Sequence, residues 1–209
     1  MGLGGYIFCE LCSIQAEFPE YKQAFAKLES KMITKCDTEW APKKMGYLNP
    51  RSDPPEYGRT TILPELFDDV NGAAMAHWRQ YFIVAGNQTI ITGGNAGNTL
   101  PEDIKVAWIG LAFPNEQLNI SEIKWQLGDR KYGRINIEDL HSYKKPAVIF
   151  EEGIIIDEEQ SFDLYAYVDG PIPTDHQGNV GLYQRVVMLG AAYYKIIDKV
   201  LGVTGAAIT

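Results

Sequence analysis

No basic stretch followed by an apolar core opens this sequence, which begins MGLGGYIFCELCSIQ, so a secretory signal is not expected. No apolar run approaches the ~18 residues that a membrane-spanning helix requires, so no transmembrane segment is expected either. Cysteine is scarce: Cys9, Cys12 and Cys36 cannot all pair within one chain. They suit a reducing compartment better than a disulfide scaffold, and synthesis in the cytoplasm follows as the expectation. Histidine is equally scarce, with His77, His141 and His176 scattered and unpaired with any recognisable nucleophile.

Motifs of catalysis are missing as well. None of the six serines sits in a G-x-S-x-G turn. The glycine-rich stretch from Gly86 to Thr99 lacks both the Gly-Lys-Ser/Thr ending and the G-x-G-x-x-G spacing of a phosphate cradle, and reads as a strand connection. Cys9-x-x-Cys12 with Cys36 falls short of four zinc ligands, so the cysteines are expected to be small packing residues. No cofactor, no metal and no enzymatic activity are expected. The sequons at Asn87 and Asn119 carry little weight without an export signal.

Positive charge is the remaining shortage. The formal net charge of −8 disfavours direct contact with nucleic acid or an anionic membrane. Between Pro146 and Gln184 lie eight acids and no lysine or arginine. No D-x-D-x-D-G loop marks them as a calcium site, and acids on strand turns commonly discourage wrong pairing. A small basic group, Arg130, Lys131 and Arg134, precedes them and is its natural complement, on the same or a neighbouring subunit.

What the chain does have is β pattern. In residues 147 to 168, AVIFEEGIIIDEEQSFDLYAYV, Phe162, Leu164, Ala166 and Val168 alternate with Ser161, Asp163, Tyr165 and Tyr167, as a half-buried strand requires. The preceding strand is more apolar and is interrupted at Glu151-Glu152-Gly153, which predicts a bulge or a change of direction. The two are expected to form a hairpin. IKVAWIGLAF (104 to 113) is apolar on both faces, the mark of a strand buried between layers. Further strands are expected at 60 to 63, 77 to 85, 88 to 92 and in NISEIKWQLGD (119 to 129), with one helical turn near Ile137 to Leu140. Residues 184 to 195 fit a closing strand, with a helix as the alternative.

Before these strands the pattern differs. Tyr21, Phe25, Leu28 and Met32 recur at steps of four, three and four, predicting a helix over 19 to 35. Residues 1 to 58 therefore read as an arm, a helix and a Pro-rich linker, and 59 to 209 as a β-sandwich body. The apolar Tyr6-Ile7-Phe8 of the arm is expected to dock on its own body or on a neighbour.

This layout resembles the jelly-roll proteins that build viral capsids, over roughly residues 60 to 195. The resemblance implies an all-β antiparallel sandwich with an N-terminal helix and arm, and a virion shell subunit whose partners are copies of itself and other shell proteins. It carries over no functional residue. The assembly contacts expected from the chain's own pattern are Tyr6, Ile7 and Phe8 on the arm, and Arg130, Lys131 and Arg134 facing Glu151 and Glu152 across subunits. The competing expectation is a carbohydrate-binding or glycoside-hydrolysing sandwich, with Trp78, Trp108, Trp125 or surface tyrosines as sugar platforms. Trp108 and Trp125 fall on apolar faces, which favours core packing.

Overall fold

A strand that is apolar on both faces is stable only between two other layers. The computed structural model describes residues 6–9, 19–40, 57–69, 71–114, 119–138, 140, 147–174, 178 and 180–195. In it the strand Ile104–Ala112 is buried at every position. In chain order the described elements are β1 (Tyr6–Cys9), α1 (Pro19–Glu39), β2 (Tyr57–Thr61), a 3-10 turn (Pro64–Leu66), β3 (Phe67–Asp68), β4 (Arg79–Phe82) and β5 (Gly86–Gly93). They continue with β6 (Ile104–Ala112), β7 (Ile120–Leu127), β8 (Arg130–Asn136), β9 (Ala147–Ile156), β10 (Phe162–Val168), β11 (Leu182–Arg185) and β12 (Val187–Lys195).

The strands form two five-stranded sheets and a ribbon. Sheet A has the order β1-β9-β6-β12-β2, sheet B the order β3-β5-β10-β7-β8, and β4 pairs with β11. Eight strands pair antiparallel in a nested way: β2 with β12, β5 with β10, β6 with β9 and β7 with β8. The additional pairs β12–β6 and β10–β7 join these into the two sheets. First with last, second with seventh, third with sixth and fourth with fifth is the winding of a jelly roll. The expected all-β sandwich with an N-terminal helix is the observed fold.

Between the sheets the core is aromatic. Trp108 of β6 meets Phe150, Trp125 and Phe162 edge-on, with ring centroids 4.9, 5.6 and 5.6 Å apart. All four side chains are 5% exposed or less, which removes Trp108 and Trp125 as surface platforms. The outer face of sheet A is covered by α1. Leu28, Met32 and Cys36 recur every fourth residue and bury themselves against Ala107, Ile109, Ile149 and Tyr193, and Trp40 continues the stripe just past the helix. Burying each larger side chain of this stripe contributes roughly 1.5–3 kcal/mol. The helix runs a turn beyond the predicted 19 to 35 because the stripe itself continues to Cys36.

The interruption at Glu151-Glu152-Gly153 is a bulge, as its sequence suggests. Trp108 pairs with Ile154 while Gly110 pairs with Ile149, so β9 carries extra residues over that interval. Gly153 has φ +66°, and a Cβ there would come within 2.5 Å of Leu28 Cδ2. Glycine is needed for the backbone conformation and for the close approach of the helix.

The expected hairpin over 147 to 168 is not formed. β9 belongs to sheet A and β10 to sheet B, and the acidic turn between them carries the chain across the sandwich. Alternation identifies a strand's buried face but not its partner. β9 is apolar over its first half because it lies beneath α1, whereas β10 has one bare face. Residues 184 to 195 are strand, broken at Val186: there the chain leaves the ribbon, the Val186 N–H donating to Trp78 O (3.1 Å), and enters sheet A as β12.

Candidate functional site

The two ends of the sandwich differ in chemistry. At one end, where β6 begins and the turn from β9 to β10 lies, the ammonium of Lys105 is 1% exposed. It meets Glu39 Oε2 at 2.8 Å, Glu158 Oε1 at 2.9 Å and Asp157 Oδ1 at 3.2 Å. Lys35 bridges Glu39 Oε1 (3.1 Å) and Asp157 Oδ2 (3.0 Å). The Trp40 indole N–H donates to Glu158 Oε1 (3.2 Å), and the Asp103 backbone N–H donates to Glu158 Oε2 (3.1 Å). Burial alone would lower the Lys105 pKa, but the hydrogen bonds it donates to Glu39, Glu158 and Asp157 outweigh it and raise the pKa above its ordinary value. Hydrogen bonding to Lys105 holds Glu39 below the usual carboxylate value. At Glu158, burial works upward, and Lys105, Trp40 and the Asp103 N–H together bring it down. Five charges are thus fixed by one another, and the C-terminal end of α1 is fastened to the body. This is a structural clamp.

The opposite end is apolar and exposed. In the ribbon, Tyr81 pairs directly with Tyr183, their rings 4.5 Å apart, and the Arg79 guanidinium lies 4.6 Å over the Tyr183 ring. Alternation turns Gln80, Phe82 and Gln184 inward and leaves Arg79, Tyr81, Tyr183 and Arg185 outside. Tyr81 donates its hydroxyl hydrogen bond to Val180 O (3.2 Å). Ile83 and Val84 follow the ribbon and are 57% and 59% exposed. Among the described residues, the exposed large hydrophobics are Tyr81, Ile83, Val84, Val180 and Tyr183 in or beside the ribbon, with Ile33 and Tyr167 elsewhere.

The outer face of sheet B is the third surface, and no described element covers it. Its cross-strand rows are polar: Asn87, Tyr167 and Glu122 in one, Thr89, Tyr165, Lys124 and Arg134 in the next. A groove of about 600 Å³ opens there. Lys124 and Arg134 both reach Glu122, at 2.8 and 3.4 Å. Burial pushes the Tyr165 phenol up, and Asp163 adds to it by charge and by accepting its hydrogen bond.

The residues singled out from the sequence fall in separate places. The backbone of Tyr6, Ile7 and Phe8 pairs with Phe150, Ile149 and Val148 of β9, at the edge of the chain's own sheet A. The side chains of these three residues and of Lys131 lie outside the described residues, as do Cys12, His141 and His176. Arg130 and Arg134 are exposed on β8, the edge of sheet B, and Glu151 and Glu152 are exposed at the β9 bulge of sheet A. Within the base-free stretch, Asp157 and Glu158 are matched by Lys35 and Lys105 of the same chain. Cys36 is buried on the face of α1 that packs on sheet A, and that burial pushes its thiol up to about 12, so it is an inert packing residue. Among the described residues no group of three or more His, Cys, Asp or Glu is placed to hold a metal ion, and no described helix is long and apolar enough to cross a membrane.

The chain matches no family model, no curated protein and no solved structure. Sequence reasoning missed the ribbon. The signal was there in RQYF and LYQR, two short runs that each put one tyrosine between a glutamine and an apolar residue.

Proposed function

We propose that the chain is a structural subunit that assembles with copies of itself into a shell of the viral capsid type. The observation that carries this reading is the concentration of exposed apolar side chains on the ribbon end. Contiguous patches of this kind, aromatic and set beside arginine, are the composition of protein–protein contacts. The ribbon grows from the two connections β3–β5 and β10–β12, at the end opposite the Lys105 clamp, so it adds a contact surface without disturbing the core. The jelly-roll winding is compatible with this role and with many others, and does not decide it.

Particle size of purified protein, by light scattering and electron microscopy, tests the proposal. The parent is expected to form large particles, and Tyr81→Asp combined with Ile83→Asp is expected to raise the concentration needed by about tenfold or more. Both positions are exposed, so the thermal midpoint should stay within a few degrees of the parent. A parent that stays monomeric up to about 0.1 mM, where a contact of about −5.5 kcal/mol would already associate it, overturns the proposal.

A further inference from the structure

We infer that the groove on the outer face of sheet B binds an acidic saccharide, with Tyr165 as the stacking surface and Lys124 and Arg134 as the carboxylate partners. The groove of about 600 Å³ lies among Asn87, Lys124, Gln126, Arg134 and Tyr165. Its size falls in the range of small-ligand sites, about 300–1,000 Å³. It sits in mid-sheet: Tyr165 of β10 is directly opposite Lys124 of β7, which is directly opposite Arg134 of β8.

Two cations facing each other across a strand pair repel unless an anion lies between them. Glu122 supplies one carboxylate to both, which leaves these three side chains one positive charge in excess, with the Asp163 carboxylate one row away opposite Gln126. The Arg134 side chain is 72% exposed, and Glu122 meets it at Nη1. Its planar fork therefore has further N–H donors for a second carboxylate. Around this charge stand the groups that read hydroxyls. The Gln126 amide is oriented by donating to Gly128 O (3.0 Å), so its carbonyl oxygen can accept, and Asn87 offers a second, exposed amide. The Tyr165 ring stands between Thr89 and Lys124 in its cross-strand row.

The same geometry disfavours other anions. A peptide strand adds at a sheet edge, through free backbone groups. Here the backbone of β10 and β7 is engaged in ladders on both sides. A nucleic acid brings a charge on every nucleotide, which the net negative chain repels. One excess positive charge beside an aromatic ring and two amides fits a sugar bearing an isolated carboxylate. The groove and the ribbon lie on different faces, so variants in one leave the other unchanged.

Calorimetric or NMR titration of the full chain with methyl glucuronide, which carries a single carboxylate, tests the inference, beside its methyl ester and a glutamate-rich peptide. Methyl glucuronide is expected to bind, and the ester to bind at least about tenfold more weakly. Lys124→Gln and Arg134→Gln should each weaken binding by about tenfold, as should Tyr165→Ala, while Tyr165→Phe keeps most of it. Circular dichroism of each variant separates loss of binding from loss of fold, and the two conservative glutamine changes at partly exposed sites carry the test. Absence of binding at about 10 mM overturns the inference. So do equal binding of the ester, binding indifferent to folded Lys124 and Arg134 variants, or equal binding of the peptide.

Discussion

The outer faces of sheets A and B come from the same winding, yet one lies beneath a helix and the other faces solvent. β6 and β10 are the central strands, and they show how the sequence records the difference. Every residue of β6 is buried, because side chains on one face enter the sandwich core and those on the other meet α1. β10 buries Phe162, Leu164, Ala166 and Val168 and leaves Asp163, Tyr165 and Tyr167 partly or largely exposed. A strand that loses its alternation is therefore reporting a third layer, even when that layer comes from a distant part of the chain. The same size of side chain should then matter very differently on the two faces.

The largest expected effect tests that directly. Met32→Ala on the covered face should cost about 3 kcal/mol, since it opens a cavity between α1 and sheet A. For a chain of this size that is a fall of about 10 °C in thermal midpoint. Tyr167→Ala on the bare face removes a larger side chain that is already 46% exposed, and should cost less than about 1 kcal/mol. Equal losses in thermal denaturation would mean that the two faces are covered alike, by a helix on one and by something unseen on the other.

A second, smaller effect concerns what fastens the cover. Lys105→Met keeps the stem and drops the charge, leaving Glu39, Asp157 and Glu158 near one another. Breaking a buried ion pair costs about 3–5 kcal/mol, and here about 2 is expected because the three carboxylates reach solvent and can hydrate. The pH dependence carries a definite sign. Glu39 and Glu158 have folded values below the ordinary 4.5, so their contribution is full above 4.5 and is lost as pH falls through the folded values. Lys105 is raised above 10.5, so its contribution is full below 10.5 and is lost only at still higher pH. The parent should therefore lose midpoint temperature on acidification from about pH 6 to about pH 3, and Lys105→Met should lose less over the same interval. Parallel pH profiles for the two proteins would remove the clamp from the account.

Much of this architecture was legible in the residues. Steps of four through Leu28 and Met32 marked the helix, the alternation from Phe162 to Val168 marked a half-bare strand, and Gly153 after two acids marked the bulge. What stayed hidden was pairing in space. The turn Asp157 to Ser161 looks like a hairpin turn, and only the sheets show that it crosses from one to the other. Lys105 sits inside IKVAWIGLAF, where one charge is outweighed by its apolar neighbours, and its partners are at positions 39, 157 and 158. Tyr81 lies in the strand expected at 77 to 85, but Tyr183 falls just before the closing strand expected from 184, so their pairing in a separate ribbon was not displayed. The groove around Tyr165 draws on β10, β7, β8 and β5, which no single stretch of sequence displays.

The smallest expected effect separates apolar from charged contacts in assembly. The charge segregation read from the sequence set Arg130, Lys131 and Arg134 against Glu151 and Glu152 of a neighbour. Base-free along the chain is not base-free in space, since Lys35 and Lys105 already answer Asp157 and Glu158. Arg130 and Glu152 are both exposed and are the pair to examine between subunits. An exposed pair contributes about 0–1 kcal/mol, so Arg130→Glu should weaken assembly by no more than about fivefold. Adding Glu152→Lys in the same chain should restore it if the two meet across an interface, and should worsen or leave it unchanged if they do not. Salt sharpens the distinction. Raising it from about 0.05 to about 0.5 M shortens the screening length to a few ångströms and should erase the difference between the Arg130→Glu variant and the parent. Contacts through Tyr81, Ile83 and Tyr183 bury apolar surface and should persist at the higher salt. Assembly that collapses at about 0.5 M would transfer the main role from the ribbon to the charged edges of the sheets.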